Sequence, residues 1–178
     1  MPDLKKRLHA YFGTAPPPTP ESVRAALWAE DTPDQVVLLE QYKLYVEMAD
    51  RVSARRGLTN TFFLTLNAAL FALIGTLMTR ESAVASWILF FPLLAMLLQC
   101  FAWFWLLRSY RQLNAAKYAV VGALEERLPA SPYWRAEWEA LGRGTDPARY
   151  WPLSHLEQWV PLLFAAVYTI TFLGVVLI

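Results

Sequence analysis

The chain has 178 residues, of which 56% are hydrophobic and 17% charged, and its formal net charge is +1. A soluble domain carries about 25% charge, and the mean hydropathy here is positive at +0.28, so composition points to a membrane protein. A net charge near zero provides no general field for nucleic acid, and a single cysteine, Cys100, excludes an internal disulfide.

The N-terminal segment, residues 1–33, holds two short amphipathic pieces, "DLKKRLHAYF" and "ESVRAALWAE", around a proline linker at 16–20. Its basic start is not followed by the apolar core of about 7–15 residues that a secretory signal peptide needs. Thr32-Pro33-Asp34 predicts a helix start: a capping hydroxyl, a proline in the first turn and a carboxylate near the positive end of the helix dipole. The next proline is Pro92. Leu38, Tyr42, Tyr45, Ala49 and Val52 recur in a heptad seam. The pattern passes the lone Gly57 into an apolar stretch at 59–78. One helix over 34–78 is expected, about 65 Å long at 1.5 Å per residue and so about twice the bilayer core.

A second apolar stretch, "AVASWILFFPLLAMLLQCFAWFWLL", covers 83–107, and helical pattern continues to Pro129 along Leu106, Tyr110, Leu113, Val120 and Leu124, with Lys117 interrupting. Cys100 lies in this run, where a buried, inert thiol is expected. The two long helices are expected to form an antiparallel hairpin over 34–128 that turns near Arg80. That register sets Asp50 against Arg111 as an ion pair outside the spans. Residues 129–158 are rich in aromatics and prolines, with a short helix predicted near 132–141. Ser154 and Glu157 match a capping box for a third apolar helix at 159–178. The fold class that follows is all-α: a three-span helical membrane protein whose two long helices extend out of the membrane as a coiled-coil-like stalk.

Orientation follows from the basic flanks. Arg51, Arg55 and Arg56 precede the first span, Arg108, Arg111 and Lys117 follow the second, and Arg143 and Arg149 precede the third; the turn between the first two has Arg80 opposed by Glu81. The N-terminus and the 108–158 segment are therefore expected in the cytoplasm and the C-terminus outside. Arg51, Arg55, Arg56 and Arg108 are candidate lipid-headgroup contacts. Trp103, Trp105, Trp151 and Trp159 are candidate interfacial anchors.

No catalytic constellation is visible. His9 and His155 are far apart in sequence, no metal-ligand spacing joins His, Cys, Asp and Glu, and there is no phosphate-cradling glycine loop. No enzyme activity, cofactor or metal is expected. Glu125 and Glu126 are adjacent on a helix, point apart and read as a solvated face, and His155 reads as a polar residue at a helix start. The polar groups inside the spans say more. Asn60 and Asn67 lie on one face of the first span and Gln99 lies in the second. An unpaired amide in hydrocarbon costs several kcal/mol, so these side chains must face protein or water. They either bind helices together or line an aqueous path. Thr61, Thr65, Ala68, Ala72, Thr76 and Thr79 form a small-residue stripe that permits close helix approach. No charged residue lies inside a span, which argues against a proton relay or ion-coupled transport.

The runs "EQYKLYVEMADRVSARRGLTNTFFLTLNAAL", "LRSYRQLNAAKY" and "LEERLPASPYWRAEWEALG", followed by "PLSHLEQWVP", resemble the RipA family of octameric bacterial membrane proteins over most of residues 38–170. The resemblance implies a homo-octamer in the bacterial cytoplasmic (inner) membrane and carries no catalytic residues. The helix–span–span–helix plan is also similar to the two-span SLATT effector domains, from which the third span departs. Two functions are in view: a homo-oligomeric pore or channel with a helical cytoplasmic region, or a non-conducting scaffold that binds a cytoplasmic or membrane partner. The expected partners are further copies of the chain and membrane lipids, not nucleic acid.

Overall fold

The computed structural model describes residues 20–28, 34–78, 89–144, 150 and 153–177, with side chains over 21–28, 34–76, 89–143, 150 and 156–177. The described chain is helical: α1 (Pro20–Leu27), α2 (Gln35–Met78), α3 (Phe90–Glu125), a π-helical turn (Pro132–Glu137) running into a single α-turn, α4 (Trp138–Ala140), and α5 (Leu153–Leu177). Three of these helices, α2, α3 and α5, are long and apolar enough to cross a membrane. The turn near Arg80, residues 16–19 of the proline linker and Thr79 lie outside the described residues.

The first long helix is unbroken from Gln35 to Met78. Its cap comes later than expected. The Asp34 carboxylate accepts a hydrogen bond from the Val36 amide at 2.9 Å, satisfying one of the amides left open at a helix start. Gly57 does not interrupt the helix, and no neighbour approaches its open side. The seam read from the sequence faces inward: Leu38 and Ala49 are buried, and Tyr42, Tyr45 and Val52 are half-buried.

In α3 the expected seam is one residue out of phase over its middle. Leu106 and Leu113 are exposed, whereas Trp103, Leu107, Asn114 and Val121 are buried; Tyr110 and Val120 are half-buried, and Leu124 is buried as expected. One residue is a rotation of about 100° on a helix, and here it brings Asn114 and Glu125, which an apolar count passes over, to the inner face. The hairpin register is also displaced. With a turn at Arg80, Ser53 would face Arg108 and Tyr42 would face Ala119. Instead Asn114 Nδ2 donates to Ser53 Oγ at 3.1 Å and Tyr42 Oη donates to Glu125 Oε1 at 2.9 Å. Trp103 pairs with Asn60 and Lys117 with Tyr45, a smaller offset in the same direction.

The last helix, α5, packs along α3 and reaches α2 through long side chains. Leu93, Met96, Cys100 and Tyr168 form one buried cluster, flanked by Phe71, Phe164 and Phe172. Phe63, Trp103 and Leu107 form a second. Trp103 is fully buried and stacks on Phe63 with ring centroids 5.5 Å apart, so it is a core residue rather than an interfacial anchor. Trp159 is exposed and Trp105 half-exposed, as an anchor requires, while Trp151 lies outside the described residues.

Past Glu125 the chain turns back on itself. Amides of Arg127 and Leu128 bond to carbonyls of Leu124 and Glu125, tightening the last turn before Pro129 stops it. The π-turn then lays the Trp134 ring on α3 at Gly122. A Cβ at Gly122 would come within 2.5 Å of that ring. Gly122→Ala therefore sets a gain in helix propensity of at most about 1 kcal/mol against an overpacking cost of about 1–3 kcal/mol. The expected result is a loosened 132–140 segment, read as faster hydrogen exchange at the Tyr133 and Trp134 amides with exchange in α5 unchanged.

Candidate functional site

Two sets of buried polar residues hold the three long helices, one inside the apolar spans and one at the far end of the hairpin. In the spans, Asn67 is completely buried. Its Nδ2 donates to the Phe63 carbonyl at 2.7 Å, and its Oδ1 accepts from Tyr168 Oη at 2.5 Å. Tyr168 stacks on Phe71 with ring centroids 4.8 Å apart, so α5 is fixed to α2 by a hydrogen bond set inside an aromatic contact. About two turns nearer the stalk, Trp103 Nε1 donates to Asn60 Oδ1 at 2.9 Å and joins α3 to α2. Both amides thus link helices of one chain. Gln99 is half-buried, and its Nε2 has no hydrogen-bond partner among the described residues.

Two threonines of the small-residue stripe bond to their own helix: Thr61 donates to the Gly57 carbonyl at 3.1 Å and Thr76 to the Leu73 carbonyl at 2.8 Å. Thr61, Thr65, Ala68, Ala72 and Thr76 are all exposed on the outside of the chain.

At the end of the spans the arginines divide. Arg56 turns inward and pairs with Glu157 of α5 at 3.2 Å, with both side chains largely covered. Arg111 Nη1 donates to Gln158 Oε1 of α5 at 3.0 Å, while Asp50, its expected partner, is exposed on α2. Glu157, expected as the acidic half of a capping box, is thereby committed to Arg56; the side chains of Ser154 and His155 lie outside those described. Arg51 pairs with Glu47 on its own helix at 2.7 Å, Arg55 is exposed, and Arg108 lies over the Trp105 ring at 5.8 Å.

The far end is organised by Glu125. It is 1% exposed, which overturns its reading as part of a solvated face. Oε1 accepts from Tyr42 Oη at 2.9 Å and the Tyr133 amide at 3.1 Å; Oε2 accepts from Ser131 Oγ at 2.7 Å and the Trp134 amide at 2.9 Å. Pro132 has no amide to offer, so the carboxylate takes the first two free N–H groups of the turn, where the helix dipole favours a negative charge. Four donors compensate a desolvation that would otherwise be prohibitive. Burial, and after it the carboxylate, push the Tyr42 phenol far above the ordinary tyrosine range, so it remains a donor. Glu126 points the other way and receives both Nε and Nη2 of Arg24 from α1, while Arg127 lies over the Trp28 ring at 4.0 Å.

Sequence reasoning singled out Asn60 and Asn67 but not their partners. The signal was present: Trp103 and Tyr168 each carry a polar group into an apolar span and must bond there. The Glu125 cluster had no comparable signal, because its donors come from residues on both sides of a turn whose π geometry the sequence does not announce.

The contacts described so far join helices and turns of one chain. Among the described residues there is no group of His, Cys, Asp and Glu that could hold a metal ion. What it does resemble is a subunit. Residues 39–177 match the octameric membrane protein family (8xMP). The chain belongs to that family. No curated protein and no solved structure matches it. As a member of the octameric membrane protein family it is a multi-pass, homo-oligomeric membrane protein, and α1 lies outside the matched residues.

Two outcomes follow. Asn67→Leu leaves the Tyr168 hydroxyl buried without a partner, at about 1–3 kcal/mol. Thermal unfolding in detergent should show that loss, and Asn67→Leu/Tyr168→Phe should recover most of it. A double variant no better than the single one would mean that the bond does not hold α5. The second concerns pH. The Arg24 hydrogen bond holds Glu126 below the ordinary carboxylate range. A depressed acid stabilises above its unfolded pKa and loses that contribution as pH falls through its folded value. Hydrogen-exchange protection of residues 20–28 should therefore be flat down to about pH 4.3, the free glutamate value, and fall below it.

Proposed function

We propose that the protein is one subunit of a homo-octamer in the bacterial cytoplasmic membrane, with its N-terminus and stalk in the cytoplasm, and that it works as a scaffold presenting that stalk rather than as a conductor. The observation that carries the choice is the state of Asn67. It was the strongest candidate for lining an aqueous path, yet it is enclosed within one subunit with both ends of its amide bonded. The stalk, in contrast, carries a carboxylate-locked turn with exposed aromatic residues, a surface suited to holding other molecules. Arg55, exposed on α2, is the basic residue this reading assigns to anionic lipid headgroups.

One observation favours a pore as the second reading. The exposed stripe Thr61, Thr65, Ala68, Ala72 and Thr76 is small and carries hydroxyls. In a ring, that face either packs against the neighbour or borders a central opening.

Native mass spectrometry of the protein in detergent is expected to give eight copies, and proteoliposomes are expected to show no ion flux above empty vesicles. Flux abolished by Thr65→Leu/Ala72→Leu in an assembly of unchanged mass would replace the scaffold by the pore. A monomer would end both.

A further inference from the structure

We infer that neighbouring copies of the chain meet outside the membrane, where the aromatic face Tyr133, Trp134 and Trp138 of one copy lies against the apolar outer face Val36, Val37 and Leu44 of α2 in the next. The inference rests on the self-association proposed above and says which surfaces carry it.

Both surfaces are exposed in the single chain. Leu44 is 58% exposed, Val37 52% and Trp138 49%, and Val36, Tyr133 and Trp134 are likewise open. They lie beyond the apolar spans, in a region where covering apolar surface is driven by water. Inside the bilayer that drive between helices is absent.

The two surfaces stand at the same height. Tyr42 bonds to Glu125, Lys117 lies over the Tyr45 ring at 5.0 Å, and Gln35 Nε2 donates to the Arg127 carbonyl at 3.3 Å. Residues 35–45 of α2 are therefore level with the end of α3, to which Glu125 and Gly122 hold the aromatic turn. Val37 and Leu44 each fall within about 8 Å of the level of Tyr42 at 1.5 Å per residue. Copies related by rotation about the membrane normal keep every residue at its own height, so surfaces that meet between them must be level. These two are, and they belong to different elements, which gives the head-to-tail contact that closes a ring. Charge does not oppose the contact: Glu40 and Lys43, between Val37 and Leu44 on α2, pair with each other at 2.8 Å, and Arg135 and Glu137 stand between Trp134 and Trp138, so neither rim presents a single sign to the other. The aromatic side is held by the Glu125 cap before any contact forms, which limits the ordering cost of association.

The test uses the full chain in proteoliposomes with Cys100→Ser. Oxidation of Leu44→Cys/Trp138→Cys should yield a ladder of covalent oligomers on a non-reducing gel, with neither single variant doing so. As a check without engineered thiols, Trp134→Ala/Trp138→Ala should lower the assembled fraction on detergent dilution by about tenfold, the effect of removing a central aromatic contact. No ladder in an assembly that native mass still shows as oligomeric overturns the inference and leaves self-association standing. A ladder from Trp138→Cys alone overturns it in favour of a symmetric contact. Quenching of a bimane label on Trp138→Cys by lipid-borne nitroxide overturns it in favour of a membrane surface. A wild-type monomer removes the self-association on which it rests.

Discussion

A bilayer interior offers no water to a polar side chain, and that one constraint determines how the three long helices meet. Asn67 cannot be left unpaired in hydrocarbon, and Tyr168 on α5 has the same need. Each satisfies the other at 2.5 Å. Asn60 and Trp103 repeat the arrangement between α2 and α3. The apolar clusters around Tyr168 and Trp103 then fill in about these points. Packing alone would allow apolar helices in lipid to slide or rotate; two directional bonds at different depths permit one register.

Outside the spans the same economy appears with a charge. Glu125 is surrounded by the ends of three segments: Tyr42 from α2, Ser131 from the loop, and the amides that open the π-turn. A buried carboxylate contributes little net stability beside an apolar substitute, but removing any one of its donors leaves an uncompensated group. What it provides is geometry. It ties the return of the chain to the far end of the hairpin, and Gly122 lets the Trp134 ring settle there. Beside it, Arg24 and Trp28 attach α1 through exposed contacts of a kind that contribute little each.

The helical class, the three spans and the extent of α2 were legible because each rests on a long-range average: apolar length, heptad spacing, the absence of proline. The inner face of α2 was legible for the same reason, its members Leu38 and Ala49 being apolar. The inner face of α3 was not, because Asn114 and Glu125 sit on it and pulled the apparent seam one residue aside. Register is not legible either, because a turn position alone does not fix which residues of two helices stand level. Among the site residues, the amides announced a need for partners, while the identity of those partners depended on which residues stood level across three helices. Arg56 looked like one more member of a basic flank, and Gln158 and Glu157, which divide Arg111 and Arg56 between them, were read with a helix start.

One property of α2 has a mechanical side. It runs from Gln35 to Met78 without a proline or a break, carrying Tyr42 at the Glu125 cluster and Asn67 at the Tyr168 bond. An unbroken helix resists twisting and bending over such a span, so it acts as a stiff rod with a clamp near each end. A force applied to the stalk is delivered to the membrane half as rotation or tilt of the whole rod, rather than absorbed at a hinge between them. The two halves of the molecule therefore report each other's position.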